Sequence, residues 1–249
     1  GLIGQTGSGK STLVQLLNGL LIPTNGDVIA DGVNTKDKEK RRDIRFKVGL
    51  VFQYPEHQLF EESIAKDISF GPTNMGLSED EVNLRVREAM DKVGLDYETY
   101  KNVSPFEISG GQQRRVAVAG IISMNPKVLV LDELTAGLDP AGREEIFREI
   151  ISIYKNDPEL TIVLVSHSME DVAEYVDRVI VMNKGEVYSD ASTYDTFTKV
   201  DLEKIGLDIP QVSRFMRAYK NKGNDIRDDI YTIEGAVEEL SKYLGVAHE

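Results

Sequence analysis

The run Gly4-Gln5-Thr6-Gly7-Ser8-Gly9-Lys10-Ser11-Thr12 sets glycines among small polar residues and closes on a lysine and two hydroxyls. It has the form G-x-x-x-x-G-K-S, follows a short apolar stretch, and leads into Leu13, Leu16, Leu17 and Leu20 at helical spacing. That setting is what a phosphate-binding loop requires; the pattern alone would say less. Glycine lets the backbone curl until several amides face one anion. Lys10 can reach the β- and γ-phosphates of a nucleotide, and the Ser11 hydroxyl can ligate magnesium. The chemistry expected here is nucleotide capture.

A matching acidic pair, Asp132 and Glu133, follows the apolar run KVLVL. Ligands of open α/β sheets collect at the carboxyl ends of strands, where these two side chains are expected. Neighbours on a strand point in opposite directions, which predicts separate duties. Asp132 suits magnesium, and Glu133 suits polarising a water for attack on a γ-phosphate. His167, after TIVLVS, ends a strand at the same expected edge. Taken alone, it is either a γ-phosphate donor or a structural histidine. Gln53 ends VGLVFQ in a comparable place and has no signal of its own. A second glycine-bearing helix start reads ISGGQ over 108–112, ahead of the basic pair Arg114 and Arg115. Amides at a helix start face outward with partial positive charge, so Ser109, Gly110, Gly111 and Gln112 suit a phosphate. In isolation the same residues suit a tight turn and helix cap.

These groups need strands that end at one edge. Short apolar runs alternate with helical patterns, which predicts an α/β fold with a mainly parallel sheet. VGLVF (48–52), KVLVLD (127–132) and TIVLV (161–165) read as buried strands, apolar on both faces. RVIVMNKGEVYSD reads as a hairpin turning around Asn183-Lys184-Gly185. Residues from about 54 to 105 have a helical texture instead. There Ser78 and Glu81 stand in capping-box spacing, ahead of Val82, Val86, Met90 and Val93 on one face. Beyond about 190 the strand signal fades. Pro210 can open a helix carrying Val212, Phe215, Met216 and Tyr219, and Thr232 can cap another with Val237, Leu240 and Leu244. Those stripes are expected to bury against the core or a second subunit.

A chain of 249 residues can bury a substantial core. Its net charge of -13 argues against a broad electrostatic grip on nucleic acid. The absence of cysteine excludes disulfides, thiolate zinc sites and cysteine catalysis. His57, His167 and His248 are too scattered to suggest a metal cluster. The apolar segments are too short to span a bilayer, and no signal peptide opens the chain, so a cytoplasmic protein is expected. The chain starts at Gly1 already inside a motif, which predicts a fragment.

Taken in order, the phosphate loop, Gln53, ISGGQ, LVLDE, AGLD (136–139) and His167 resemble the nucleotide-binding subunit of an ABC transporter. The likeness covers most of residues 1–190. It implies a P-loop NTPase core of the ABC ATPase type with a parallel sheet, a helical subdomain over about 54–105, and a small C-terminal extension over 191–249. ATP and Mg2+ would be the cofactors and ATP hydrolysis the reaction. Two cassettes would pair head to tail, with Ser109, Gly110, Gly111 and Gln112 capping the nucleotide on the facing chain's loop. Glu133 would be the catalytic base, with Asp132 at the metal. Gln53 would sense magnesium and the transport partner, Asp139 would act across the pair, and His167 would steady the γ-phosphate.

A narrower likeness lies in FQYPEHQLFEESIAKDISFGP and SPFEISGGQQRRVAVAGIISMNP. These are similar to the ATPase subunits of energy-coupling factor (ECF) importers, which take up vitamins or transition-metal ions. The YPEHQLFEE form is nearest to one of the two paralogous ATPases of those complexes. IGLDIPQ fits the pattern of the family's C-terminal extension, which is involved in ATPase pairing. The resemblance implies a paralogous second ATPase subunit, a transmembrane coupling protein docking near His57, Gln58, Leu59 and Phe60, and a membrane subunit that chooses the solute. It places the chain peripherally on the cytoplasmic side of the cell membrane, with no nucleic-acid partner. The alternative, a soluble ABC ATPase acting on nucleic acid or ribosomes, calls for tandem cassettes, a coiled-coil insertion or strong basic patches. A P-loop kinase or GTPase leaves ISGGQ followed by LVLDE unexplained. Leu134 departs from the family's usual proline after the catalytic glutamate. Losing that fixed φ is expected to loosen the turn that aims Glu133. The family's upstream adenine-stacking aromatic is expected before Gly1.

Overall fold

The computed structural model describes residues 1–245, so His248 lies outside the described residues. Along the chain the elements are β1 (Leu2–Gly4), α1 (Lys10–Leu17), β2 (Ile29–Ala30), β3 (Val33–Asn34), α2 (Arg41–Lys47), β4 (Val48–Val51), α3 (Ile64–Asn74), α4 (Glu79–Lys92), α5 (Tyr97–Tyr100) and α6 (Gly110–Ile122). They continue as β5 (Val128–Asp132), α7 (Pro140–Asn156), β6 (Thr161–Val165), α8 (Met169–Tyr175), β7 (Arg178–Asn183), β8 (Glu186–Ser192), α9 (Thr193–Lys199), α10 (Gln211–Asn221) and α11 (Ile233–Leu244). Two compact units result: Ser11–Val163, and Gly1–Lys10 together with Leu164–Glu249.

In the unit Ser11–Val163, β4 and β5 pair in parallel, with Val48 opposite Val128 and Val51 opposite Leu131. The Lys127 amide donates to the Lys47 carbonyl and the Thr161 amide to the Lys127 carbonyl, each at 2.9 Å. Those two bonds set the starts of β4, β5 and β6 level. Every residue of β4 is buried, as expected for a strand that is apolar on both faces. Leu129, Val130 and Leu131 of β5 are fully enclosed. Burying such a side chain contributes roughly 1.5–3 kcal/mol relative to leaving it exposed. Helices α3, α4 and α6 pack on one another and bury Ile64, Ile68, Val86, Met90, Val116 and Ala119. Ser78 caps α4 by accepting from the Glu81 amide. The Glu81 carboxylate turns to Arg85 at 3.1 Å rather than closing the expected box. Helical structure continues through α6 to Ile122, past the boundary near 105 read from the sequence.

In the other unit, β1 lies between the end of β6 and β7, parallel to both, and β8 closes the order antiparallel to β7. Leu2 is opposite Val165 on one side, and Leu2 to Gly4 face Ile180 to Met182 on the other. The β7–β8 hairpin turns through Lys184 and Gly185, with φ of 51° and 83°, as its sequence predicts. One apolar cluster contains Ile3, Val172, Val179, Val181, Phe197 and Leu202. A second is Met216, Ile226, Ile230 and Ala236, with Val212, Tyr219 and Leu240 packed against it. The helix expected after Pro210 is α10, whose Met216 is buried while Phe215 is 51% exposed. Thr232 caps α11 as expected, accepting from the Gly235 amide at 3.2 Å. Val237 and Leu244 of α11 remain exposed.

Candidate nucleotide site

The glycine loop springs from the carboxyl end of β1. A Cβ on Gly4 would run into the Met182 carbonyl and the Ser8 hydroxyl, so only glycine lets the strand enter the loop this close to β7. Gly7 has φ of 82° and open space around it, which leaves the loop crest free of side chains. The Ser8 carbonyl accepts from the Gly185 amide at 3.0 Å, tying the loop to the hairpin turn. Lys10 is buried, and its ammonium donates to the Gly4 carbonyl at 2.7 Å and the Gln5 carbonyl at 3.3 Å. Ser8 Oγ is buried with no hydrogen-bond partner among the described residues. An enclosed hydroxyl of this kind calls for a ligand. With an ammonium lying across the loop, it makes the residues fit a triphosphate. Gln5, Thr6 and Gly7 are exposed, and Gln5 Nε2 donates to the Gly206 carbonyl at 3.0 Å. Extending the pairing of Leu2 with Val165 sets His167 level with Gly4. The histidine is exposed just past the strand end.

In the unit Ser11–Val163, the hydroxyl pair Ser11 and Thr12 sits exposed in the first turn of α1. The register of Val51 with Leu131 sets Phe52 level with Asp132 and Gln53 level with Glu133. Both candidate pairs therefore leave neighbouring parallel strands at their carboxyl ends. Asp132 is the last residue of β5 and is 7% exposed. Glu133 does not continue the strand: its φ is 53°. Its divergence from Asp132 thus comes from a left-handed turn, where the sequence pattern suggests strand alternation. For a non-glycine residue this conformation costs about 1–3 kcal/mol, and such strain persists where surroundings over-determine it. The Glu133 carbonyl accepts from the Ala136 amide at 3.0 Å, and the Thr135 carbonyl from the Leu138 amide at 3.2 Å. Asp139 then caps α7, accepting from the Gly142 amide at 2.7 Å. A hydroxyl, a carboxylate and an amide oxygen from Ser11, Asp132 and Gln53 form the hard donor set that magnesium takes.

The start of α6 carries a complete capping box. Ser109 Oγ accepts from the Gln112 amide at 3.3 Å, and Gln112 Oε1 accepts from the Ser109 amide at 3.1 Å. Gln112 Nε2 also donates to the Tyr100 hydroxyl at 3.0 Å. The cap uses the third amide of the helix. Those of Gly110 and Gly111 belong to the first turn, which has no carbonyl four residues back to bond. Both glycines are exposed, with open space where a Cβ would stand. Cap and anion reading are therefore compatible.

The two arginines behind this start are engaged inside the chain. Arg115 pairs with Glu145 at 2.5 Å and Glu149 at 2.8 Å. Burial pushes the Glu149 carboxyl up to about 7 against the pull of Arg115, with Glu145 adding to the rise. Arg114 is 3% exposed. Its Nε and Nη2 grip the Glu56 carboxylate at 3.0 and 2.7 Å, while Nη1 donates to the Leu134 and Ala136 carbonyls at 2.9 and 3.1 Å. Partial burial alone would raise the Glu56 carboxyl; the Arg114 bonds and charge overcome it and hold the group below its ordinary range. No sequence pattern signals this link, because its ends are 58 residues apart. In the loop expected from sequence to be a docking surface, His57, Gln58 and Phe60 are exposed, whereas Leu59 is buried and turns away from solvent.

Residues 1–136 match the family model described as ABC transporter. The energy-coupling factor transporter ATP-binding protein EcfA2 of Clostridium perfringens is 60% identical over 245 residues, covering 98% of this chain and 86% of that protein. The protein of the same name from Clostridium tetani is 58% identical over 243 residues, 97% of this chain and 84% of that one. Among solved structures, cbiO1 from Clostridium perfringens, described as part of the ABC transporter complex cbiONQ, superposes with a TM-score of 0.72 at 38% identity. That superposition covers 87% of this chain and 86% of the other. The ATP-binding cassette MJ0796, in a dimeric post-hydrolysis state bound to ADP and Pi, gives a TM-score of 0.65 at 30% identity over 77% of this chain and 84% of its own.

Proposed function

The chain belongs to the ABC transporter family as an ATP-binding subunit of the energy-coupling factor type, and from that premise we propose how its residues divide the work of ATP hydrolysis. As such a subunit it is an ATPase that powers a membrane transporter. Gly4 to Gly9 would wrap the phosphates with their amides, and Lys10 would leave the loop carbonyls to neutralise the β- and γ-phosphates. Ser8 would turn its unpartnered hydroxyl to the same anion. Ser11, Asp132 and Gln53 would hold Mg2+, which withdraws charge from the phosphates when bound. Glu133 would orient and deprotonate the attacking water, His167 would donate to the γ-phosphate, and Ser109, Gly110, Gly111, Gln112 and Asp139 would serve the nucleotide of a facing cassette.

The register carries this reading. It sets Gln53 level with Glu133 and His167 level with Gly4, each pair at the carboxyl ends of parallel neighbours. We further infer a vitamin or transition-metal ion as the solute, chosen by a separate membrane subunit, and a paralogous ATPase as the facing cassette. Among the described residues no helix is long and apolar enough to cross a membrane. Association on the cytoplasmic side would then run through the coupling protein, with His57, Gln58 and Phe60 as the exposed contacts. The domain reading remains a core over 1–190, a helical part over about 54–105 and a pairing extension over 191–249.

The decisive experiment is Glu133→Gln in the assembled transporter complex. ATP affinity should stay within about threefold while hydrolysis falls by roughly 10²–10⁴. A parallel loss of binding would remove Glu133 from the role of base.

A further inference from the structure

The buried guanidinium of Arg114 joins two stretches of chain that the proposed function treats separately: the loop after Gln53 and the turn that begins at Glu133. Four of its five N–H groups are committed, two to the Glu56 carboxylate and two to the Leu134 and Ala136 carbonyls. The acceptors in the turn are significant. Leu134 directly follows the left-handed Glu133, and Ala136 closes the hydrogen-bonded turn back to the Glu133 carbonyl. Leu134 itself is enclosed, so its side chain and its carbonyl are both fixed.

A second contact runs the same way. Tyr54 also has a left-handed backbone, with φ of 54°, and its ring lies where a Cβ on Gly137 would stand only 3.2 Å away. The segment from Tyr54 to Glu56 therefore grips the turn at Leu134, Ala136 and Gly137, without touching Glu133 itself through any of these bonds.

We propose that Arg114 is a positioning residue for Glu133, and that Glu56 sets its reach, so that displacement of the loop after Gln53 is delivered to the hydrolytic turn through one guanidinium. The assignment of Glu133 as base rests on the function proposed above. Leucine at 134 lacks the fixed φ that a proline would bring, and the clamp supplies the constraint from outside the turn. A planar fork suits such a clamp, because it bonds a carboxylate along one edge and two carbonyls from the remaining nitrogen. Lysine offers its donors from a single point and cannot span both.

The test uses the complete transporter complex, with steady-state ATP hydrolysis and a separate titration of Mg-ATP binding. Arg114→Lys should lower kcat about 10- to 100-fold while the Kd and KM for ATP stay within about threefold, because misplacing a reacting group by an ångström costs that much. Glu56→Gln keeps the shape but not the charge and should lower kcat by about 3- to 10-fold with the same split. Wild-type turnover in both variants overturns the proposal, as does a loss of binding in step with rate. If Arg114→Lys does not assemble, the near-isosteric Glu56→Gln decides alone. Glu133→Gln in the same preparation separates the two readings. Should hydrolysis survive it, the function of Glu133 is wrong; should hydrolysis vanish while the clamp variants turn over normally, only the clamp is wrong.

Discussion

Two glycine-rich helix starts in this chain solve the problem of meeting a phosphate in different ways. The one at Lys10 is enclosed, with an ammonium folded across the loop, a buried hydroxyl without a partner, and a hairpin amide holding the Ser8 carbonyl. The one at Gly110 is exposed and self-sufficient: its serine and glutamine cap each other, and its arginines are engaged by carboxylates of the same chain. The first keeps unsatisfied chemistry ready for a ligand. The second has settled its own hydrogen bonding and offers only first-turn amides on an open surface. A complete cradle needs a cation and enclosure; a lid that must dock and leave needs neither.

The contrast is broken most directly by charge. Lys10→Ala should weaken ATP binding roughly 10- to 150-fold, the range of a charge-assisted hydrogen bond or two. Ser109→Arg should leave binding to the chain's own loop within about threefold yet block ATP-driven pairing of cassettes. Titration calorimetry and light scattering on the complete subunit would read both. Abolished ATP binding in Ser109→Arg would place the second helix start in the chain's own site.

Removing the two serine hydroxyls sharpens it further. Ser109→Ala deletes a working cap and should cost about 1 kcal/mol, lowering the melting temperature by about 2–4 °C. Ser8→Ala deletes a hydroxyl with no partner, so melting should hold or rise, while ATP affinity drops roughly 2- to 12-fold. Differential scanning calorimetry with and without nucleotide distinguishes these outcomes. Reversed behaviour of the two serines would contradict the contrast.

The smallest effect is a pH dependence. Glu149 of α7, facing Arg115 of α6 with Glu145 and Arg148 on its own helix, has its carboxyl raised from 4.5 to about 7, chiefly by burial. The folded chain therefore binds this proton more tightly than the unfolded chain does. The corresponding stability is complete below pH 4.5 and is lost as pH rises through 7. Glu149→Gln should flatten the fall in melting temperature between about pH 6 and 8. An unchanged slope would assign that dependence to other groups.

The strands, the hairpin turn, the glycine loop and both C-terminal helices were legible because each is written locally, in alternation, helical spacing or a capping residue. The same holds for the placement of Gln53, Asp132 and His167 at strand ends. What escaped was set by distant or conformational terms. Arg114 looked like part of a basic patch, and its partner Glu56 lies on another helical turn far back in the sequence. Nothing in the letters of Glu133 announces a positive φ; the surrounding hydrogen bonds impose it. Leu59 stands in a run that reads as an exposed loop, yet it buries because hydrophobic side chains there have a core within reach. The loosening expected from Leu134 leaves out a guanidinium arriving from α6.

The bond from Gln5 to the Gly206 carbonyl has a bearing on thermodynamic reciprocity. One end is in the phosphate loop and the other in the IGLDIPQ segment of the C-terminal extension. A bond shared in this way makes the two places answer to each other. If holding Gly206 in a subunit contact changes the free energy of the loop by some amount, filling the loop must change the affinity of that contact by the same amount. Gly206 has φ of 70°, and a Cβ there would collide with the Gln5 amide. The coupling is therefore written into a position that tolerates no side chain.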